Sequence, residues 1–376
     1  MYEKFMQLAI EEAKKGAGYT NPNPIVGAVI VKDDRVISAG YHKEFGGLHA
    51  ERNAINNCND SANGATMFVT LEPCCHHGKT PPCTQAIVES NIRTVVIGSL
   101  DPNPIVQGKG VAMLKANGIN VVTGVLEKEC IDLNTVFFHF IKTKLPYIVM
   151  KYAMTADGKI ATYKGYSKWI SNDKSRQNVA LTRHRYSSIM VGVNTVIHDN
   201  PSLTSRIPNA KNPIRIICDT HLKTPLDCNV VKTAKDIPTI IATSSNDLSK
   251  QKLYKDNACE IIVVEKKDNH INLLDLMKIL GQRDIDSVLL EGGSTLNFSA
   301  LNDGVVNKIE AYIAPKIFGG INAITPVGGV GIANPENATT LGTPKIKTFD
   351  NDIFIEWEVI NNVYRNRWGK GKCFFY

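Results

Sequence analysis

Apolar positions in the first 145 residues switch between two periods. Phe5, Leu8, Ala9 and Ala13 recur at helical spacing, and then IVGAVIV (25–31) runs apolar without a break, as a buried strand does. Helical spacing resumes from about His49, followed by strand ATMFVTL (65–71), a helix from about Pro82 and strand RTVVIG (93–98). Helix KGVAMLKANG (109–118) and strand INVVTG (119–124) continue the alternation. One long helical stretch, VLEKECIDLNTVFFHFIKTKL, then ends against Pro146, a natural boundary. Alternation of this kind predicts an α/β fold, a central sheet with helices on its faces.

The second half opens with strand YIVMKYAM (147–154), then a turn at Asp157-Gly158 with a short strand after it. Further strands are expected at SSIMVGV (187–193), PIRIICD (213–219), IPTIIAT (237–243), CEIIVV (259–264) and SVLLEGG (287–293). KIEAYIAP (308–315) and IFIEWEV (353–359) alternate more strictly and are expected as antiparallel partners. At 376 residues the chain is long for one core, so two domains are expected, 1–145 and 146–376.

Composition narrows the function classes. Hydrophobic residues at 43% and charged residues at 21% suit a soluble globular protein, and no apolar run approaches the roughly 18–20 residues of a membrane span. The N-terminal MYEKFMQLAIEEAKKG carries acids among its apolar residues and reads as an amphipathic helix rather than a signal peptide. A cytoplasmic enzyme is the expectation, without membrane partners. The net charge of +7 is spread along the chain apart from RNRWGKGK (365–372), with no basic stripe or nucleic-acid-binding module. A diffuse excess of this kind suits phosphorylated small molecules. Of nine cysteines, Cys58, Cys130, Cys218, Cys228, Cys259 and Cys373 are scattered singly, as small buried hydrophobes or incidental thiols are.

The remaining three lie in LEPCCHHGKTPPC (71–83), downstream of LHAERNA (48–54). Zinc takes about four tetrahedral ligands from His nitrogen and Cys thiolate, and three protein ligands leave one position open for water. Zinc nucleobase deaminases carry H-x-E followed by P-C-x-x-C, their glutamate shuttling protons without binding metal. His49-Ala50-Glu51 supplies the first part and Pro73-Cys74 begins the second, but the next cysteine after the Cys74-Cys75 pair is Cys83. A helix starting near Pro82 would stabilise a Cys83 thiolate through its N–H groups and dipole. The competing reading is a closed structural zinc site with Cys75 or His76 as fourth ligand.

PCCHHGKTPPC, with HAE and TNPNPIVGAVIV upstream, resembles the deaminase half of the bifunctional riboflavin-biosynthesis deaminase–reductase family. The resemblance implies a cytidine-deaminase-like three-layer domain, one zinc on His49, Cys74 and Cys83, and Glu51 as catalytic proton shuttle. It implies substrate contacts at Asn23, His42, Lys79, Asp101 and Asn103. On local sequence alone, Asn23 and Asn103, each between prolines, serve equally well as turn residues. The family's first substrate is a diaminohydroxypyrimidine with a phosphoribosylamino arm.

In the second half MKYAMTADGKIATYKGYSKWI (150–170), GVNTVIHDNPSLTSR (192–206) and LLEGGSTLN (289–297) resemble the reductase half of the same family, similar in fold to dihydrofolate reductase. The resemblance runs from about Asn21 to the mid-350s in the family's order. It implies NADPH contacts at Ala153, Trp169, Thr195, Asp199 and Thr220, and along Gly293, Ser294, Thr295, Leu296, Asn297, Phe298 and Ser299. Substrate contacts are implied at Lys151, Ser167, Arg183, Leu203, Arg206 and Glu291. The physical logic is a Gly-Gly turn that lets backbone N–H groups approach a diphosphate at a helix starting from Ser294. There is no G-x-G-x-x-G, so the cofactor rests on the resemblance. A solvated basic face accounts for Arg183 about as well on local sequence. A homo-oligomer is also expected. The alternatives are a deaminase with an inactive reductase half and a zinc deaminase acting on nucleic acid.

Overall fold

The computed structural model describes residues 2–76, 81–104 and 106–360. The chain forms two compact units, Met1–Lys144 and Leu145–Tyr376.

The first unit carries α1 (Tyr2–Lys14), β1 (Gly27–Lys32), β2 (Arg35–Tyr41), α2 (Ala50–Asn56), β3 (Thr66–Leu71), α3 (Cys83–Glu89) and β4 (Thr94–Ser99). It closes with α4 (Lys109–Ala116), β5 (Asn120–Thr123), α5 (Glu127–Leu133) and α6 (Thr135–Thr143). The sheet order is β2-β1-β3-β4-β5, antiparallel around β1 and parallel from β3 onward. Alternate residues feed separate cores. Ala28, Ile30, Met67, Val69 and Val95 pack with Ala50, Ala54, Ile87 and Leu114 from α2, α3 and α4. Val29, Phe68 and Val96 pack with Phe5, Met6, Ala9 and Cys130 from α1 and α5. Helices thus cover both faces, and the expected three-layer architecture is present. Gly40 lets α2 lie directly on β2, since a Cβ there would collide with the Ala54 backbone nitrogen.

Two details depart from expectation. The pattern missed β2, which follows a two-residue turn with Asp33 and Asp34 both at positive φ. Such a turn matches strand twist, and its aspartates lack the glycine that usually marks it. The long helical stretch before Pro146 is two helices, because buried Asn134 bonds both backbone groups of Ile25, each at 2.9 Å.

The second unit contains β6 (Tyr147–Thr155), α7 (Asp173–Arg185), β7 (Ser188–Gly192), α8 (Val193–Asp199), β8 (Ile214–Cys218), α9 (Asn229–Lys232), β9 (Thr239–Thr243), α10 (Leu248–Asp256) and β10 (Glu260–Val263). A small hairpin follows, β11 (Lys266–Lys267) and β12 (His270–Ile271), then α11 (Leu273–Gln282), β13 (Ser287–Leu290), α12 (Ser294–Asn302), β14 (Lys308–Ala314), β15 (Lys345–Phe349) and β16 (Asp352–Glu358). Nine strands form one sheet, β10-β9-β8-β7-β13-β6-β14-β16-β15. Pairing is parallel from β10 to β14, and β14 and β16 are antiparallel as expected. Its two faces bury Met190, Ile216 and Ile240 under α11, and Ile189, Ile217 and Ile241 under α8 to α10. The short strand expected after Asp157-Gly158 is absent; a tight turn there closes on itself through Thr155 N–H to Lys159 O, 2.9 Å. Helix α7 was not expected, because DKSRQNVALTRHR has almost no apolar period. Capping starts it instead, with the Asn172 side chain accepting from Ser175 N–H.

Candidate active sites

Strand β3 ends at Leu71 and the chain turns through Pro73 to Cys74, while His49 caps α2 and Cys83 opens α3. One ring nitrogen of His49, Nδ1, lies 3.5 Å from the Cys74 sulfur and 3.4 Å from that of Cys83. The Cys83 backbone N–H donates to the Cys74 sulfur at 3.3 Å. All three ligand atoms fall within 4.8 Å of one another, and they form the one such group found among the described residues. One imidazole and two thiols at this separation fit zinc, with a fourth position left open. Hydrogen bonds from Cys83 and His49 lower the Cys74 pKa, and the Cys74 hydrogen bond raises that of His49. Burial pushes the Cys75 thiol up, and Cys75 stands outside the group.

Glu51, two residues after the ligand histidine, is 3% exposed. Burial raises its pKa to about 6, the range in which a carboxyl both takes and gives a proton near neutrality. His42 packs edge-to-face on His49 at 5.3 Å. Its Nδ1 lies 3.0 Å from Leu48 O, which makes Nδ1 the donor and leaves Nε2 to accept from the Asn23 amide at 3.3 Å. Asp101 is buried, its pKa raised to about 6 by desolvation, and its Oδ1 accepts from Asn103 N–H at 2.8 Å. Asn23 and His42 therefore stand together beside His49, while Asp101 and Asn103 form a turn of their own. Lys79 and His77 lie outside the described residues, as does the basic tail.

Two supporting residues escaped the sequence reading. Buried Glu72 accepts from the N–H groups of Asp101, Gly108 and Val111 at 3.3, 3.0 and 3.1 Å, tying the Cys74 loop to the start of α4. Arg52 donates to Pro81 O and Pro82 O at 3.1 and 2.8 Å, joining α2 to the approach of α3. An acid closing a buried strand was the available signal for Glu72; nothing local marks Arg52.

In the second unit a cleft of about 240 Å³ opens beside β6 and the segment after β13. Lys151, Ala153, Ser167, Trp169, Arg183, Arg206, Glu291, Gly293 and Asn297 line it. Arg183 grips Glu291 with two hydrogen bonds, 2.7 and 2.8 Å, and holds Thr204 O at 3.1 Å. Burial acts to raise the Glu291 pKa, but Arg183, Lys151 and Arg206 outweigh it and hold the carboxyl at about 2. Ser167 reaches Asp199 at 3.5 Å. Arg206 is exposed, whereas Arg183 is half-buried and tied to Glu291. Arg176, absent from the sequence reading, also lines the cleft and lies 4.7 Å over the Trp169 ring.

Gly292 at φ +91 needs glycine, and a Cβ on Gly293 would sit 3.3 Å from the Thr195 hydroxyl. Asn297 Oδ1 is buried without a partner, its amide donating to Pro326 O at 2.9 Å. A bare helix start and an unfilled glycine cradle suit the phosphates of a nucleotide cofactor, and the orphaned acceptor suits an N–H or O–H donor elsewhere on it. Within the run 293–299 only Gly293 and Asn297 line the cleft. Ser294 bonds Thr325 O, Leu296 packs on the core, Ser299 bonds Thr295 O, Thr295 faces solvent and Phe298 underlies Gly329. Leu203 is buried at positive φ, and Thr220 lies in the turn after β8, neither in the cleft lining.

Residues 1–99 match the cytidine and deoxycytidylate deaminase zinc-binding region, and residues 146–355 match the RibD C-terminal domain. Riboflavin biosynthesis protein RibD of Actinobacillus pleuropneumoniae is 52% identical, with 95% of each chain covered. The chain belongs to the RibD family. A second RibD, from Aquifex aeolicus, is 41% identical over 94% of this chain and 97% of its own. The crystal structure of a diaminohydroxyphosphoribosylaminopyrimidine deaminase/5-amino-6-(5-phosphoribosylamino)uracil reductase from Thermotoga maritima is similar at TM-score 0.84. It is 39% identical, covering 96% of this chain and 99% of that one. As a RibD the chain is a bifunctional enzyme of riboflavin biosynthesis, a deaminase and a reductase, with zinc and NADPH as cofactors.

Proposed function

We propose that residues 1–145 deaminate 2,5-diamino-6-(5-phosphoribosylamino)pyrimidin-4-one, and that residues 146–376 then reduce the ribosyl arm of the product to ribityl with NADPH. The observation that carries the first step is the three-ligand group of His49, Cys74 and Cys83 with buried Glu51 beside it. A bound zinc would acidify water at the open position, and a bound NADPH would supply hydride. Glu51 takes the water proton and gives it to the leaving ammonia, which a carboxyl poised near pH 6 can do twice per turnover. His42 and Asn23 orient the ring, with Asp101, Asn103 and Lys79 as further contacts. In the cleft Lys151 and Glu291 face the sugar, Ser167 and Arg206 hold the arm with Leu203 supporting from outside the lining, and Arg183 keeps Glu291 ionised. Ala153, Trp169, Thr195, Asp199, Thr220 and the 293–299 turn receive the cofactor.

A homo-oligomer is part of the same proposal, supported by the exposed apolar run of Ile317, Ile321, Val330 and Ile332. Replacing Glu51 by Gln tests the deaminase reading. Zinc content should stay at wild type while ammonia release drops by about 10²–10⁴-fold. Retained ammonia release with zinc still bound would refute it.

A further inference from the structure

Lys151 lines the reductase cleft with no partner evident, and unlike Arg206 it is not exposed. Both carboxylate oxygens of Glu291 are engaged by Arg183, and Lys151 forms no hydrogen bond or ion pair among the described residues. Its ammonium lies 5.6 Å over the Tyr312 ring. In the parallel pairing of β6 with β14, the residue level with Lys151 is Glu310. Side chains at matched positions of neighbouring strands project from the same face, as do Glu310 and Tyr312 two residues apart. Glu310 is 5% exposed, its Oε1 is 3.7 Å from Lys308, and its Oε2 is buried with no partner. A buried oxygen left unpaired costs free energy, so its retention beside an unpaired lysine calls for an explanation.

We propose that Glu310 is a positioning residue of the reductase: its carboxylate, from the neighbouring strand, keeps the Lys151 ammonium charged and aimed into the cleft. The proposal rests on Lys151 facing the sugar during reduction. Burial works against both charges, lowering the Lys151 pKa and raising that of Glu310, and each group opposes that effect in the other. Lys151 meets Glu291 from the segment after β13, Arg183 from α7, and Glu310 and Tyr312 from β14. Burial and Arg183 push its pKa down, while Glu291 and Glu310 push it up. Glu310 in turn meets Lys308 on its own strand, Glu356 on β16, Arg185 and Tyr186 at the end of α7, and Lys151 on β6. With Glu291 tied to Arg183, Glu310 is the carboxylate with an oxygen to spare.

The test is the pH–rate profile for reduction of the deaminated substrate by full-length E310Q. Loss of the carboxylate should move the basic limb down by about one pH unit, making reduction about tenfold slower above it. KM for substrate should stay within about twofold, since the residue acts through Lys151 and does not touch substrate. Ammonia release and NADPH binding should match wild type, and E310D should recover part of the shift. An unmoved limb overturns the proposal, whether or not the rate falls. K151M separates the two claims. If K151M abolishes reduction while E310Q leaves the limb in place, only the role of Glu310 fails. If K151M reduces normally, the reading of Lys151 fails and this inference with it.

Discussion

Glu291 sits at 11% side-chain exposure with both oxygens held by Arg183, itself at 12%, so the pair is shielded from water and salt. Its pKa of about 2 in the fold, against an ordinary value of 4.5, means that the ionised carboxylate stabilises the folded state. The sign follows from linkage: the stabilisation is complete above about pH 4.5 and is lost as pH falls through about 2. Its size is on the order of 3 kcal/mol. Trp169, Trp357 and Trp368, all three tryptophans of the chain, lie in the second half, so tryptophan fluorescence follows that half alone. Glu291→Gln should weaken its folding by about 3–5 kcal/mol at neutral pH, because Arg183 is left buried and unpaired. The difference from wild type in denaturant midpoint should shrink below pH 4; an equal midpoint at pH 7 would refute the pairing. At this scale the sequence revealed the residues whose type announces chemistry. His49, Glu51, Cys74 and Cys83 stood out by density and spacing. Glu310 and Glu72 did not, because their roles depend on which strand and helix lie beside them.

Glu72 shows what elements contribute. It links the strand end that carries Cys74 to the first turn of α4, where its charge meets free N–H groups and the positive end of the helix. Glu72→Ala would strip three N–H groups of their acceptor, and the buried one, that of Asp101, would cost about 1–3 kcal/mol when unsatisfied. The variant should lose zinc faster to a chelator and melt earlier in its first half, while the Trp fluorescence transition stays unchanged. Zinc loss at the wild-type rate would show that the link does not hold the ligand loop. Strands with a strong apolar run were legible, namely β1, β3 to β10, β13, β14 and β16, whereas helix α11 was missed despite its apolar period. Elements specified by turns and caps were not legible: β2 depends on the Asp33-Asp34 turn, α7 on Asn172, and the break between α5 and α6 on a bond from Asn134 to Ile25.

Over the whole molecule, the two units have separate cores and separate sites, and the order of family motifs along the chain foretold both. The strand order of the nine-stranded sheet was not legible, because a parallel sheet is set by long-range pairing that no local pattern encodes. That pairing brings Lys151, Glu291 and Glu310 together from β6, the end of β13 and β14. The most direct test of two linked chemistries is to follow ammonia release and NADPH oxidation together, using the purified zinc-loaded chain and the diaminopyrimidine substrate. Without NADPH, ammonia should appear alone; with it, oxidation should follow ammonia after a lag and reach one cofactor per ammonia. Oxidation before any ammonia, or ammonia without oxidation when both cofactors are bound, would contradict a working deaminase feeding a working reductase.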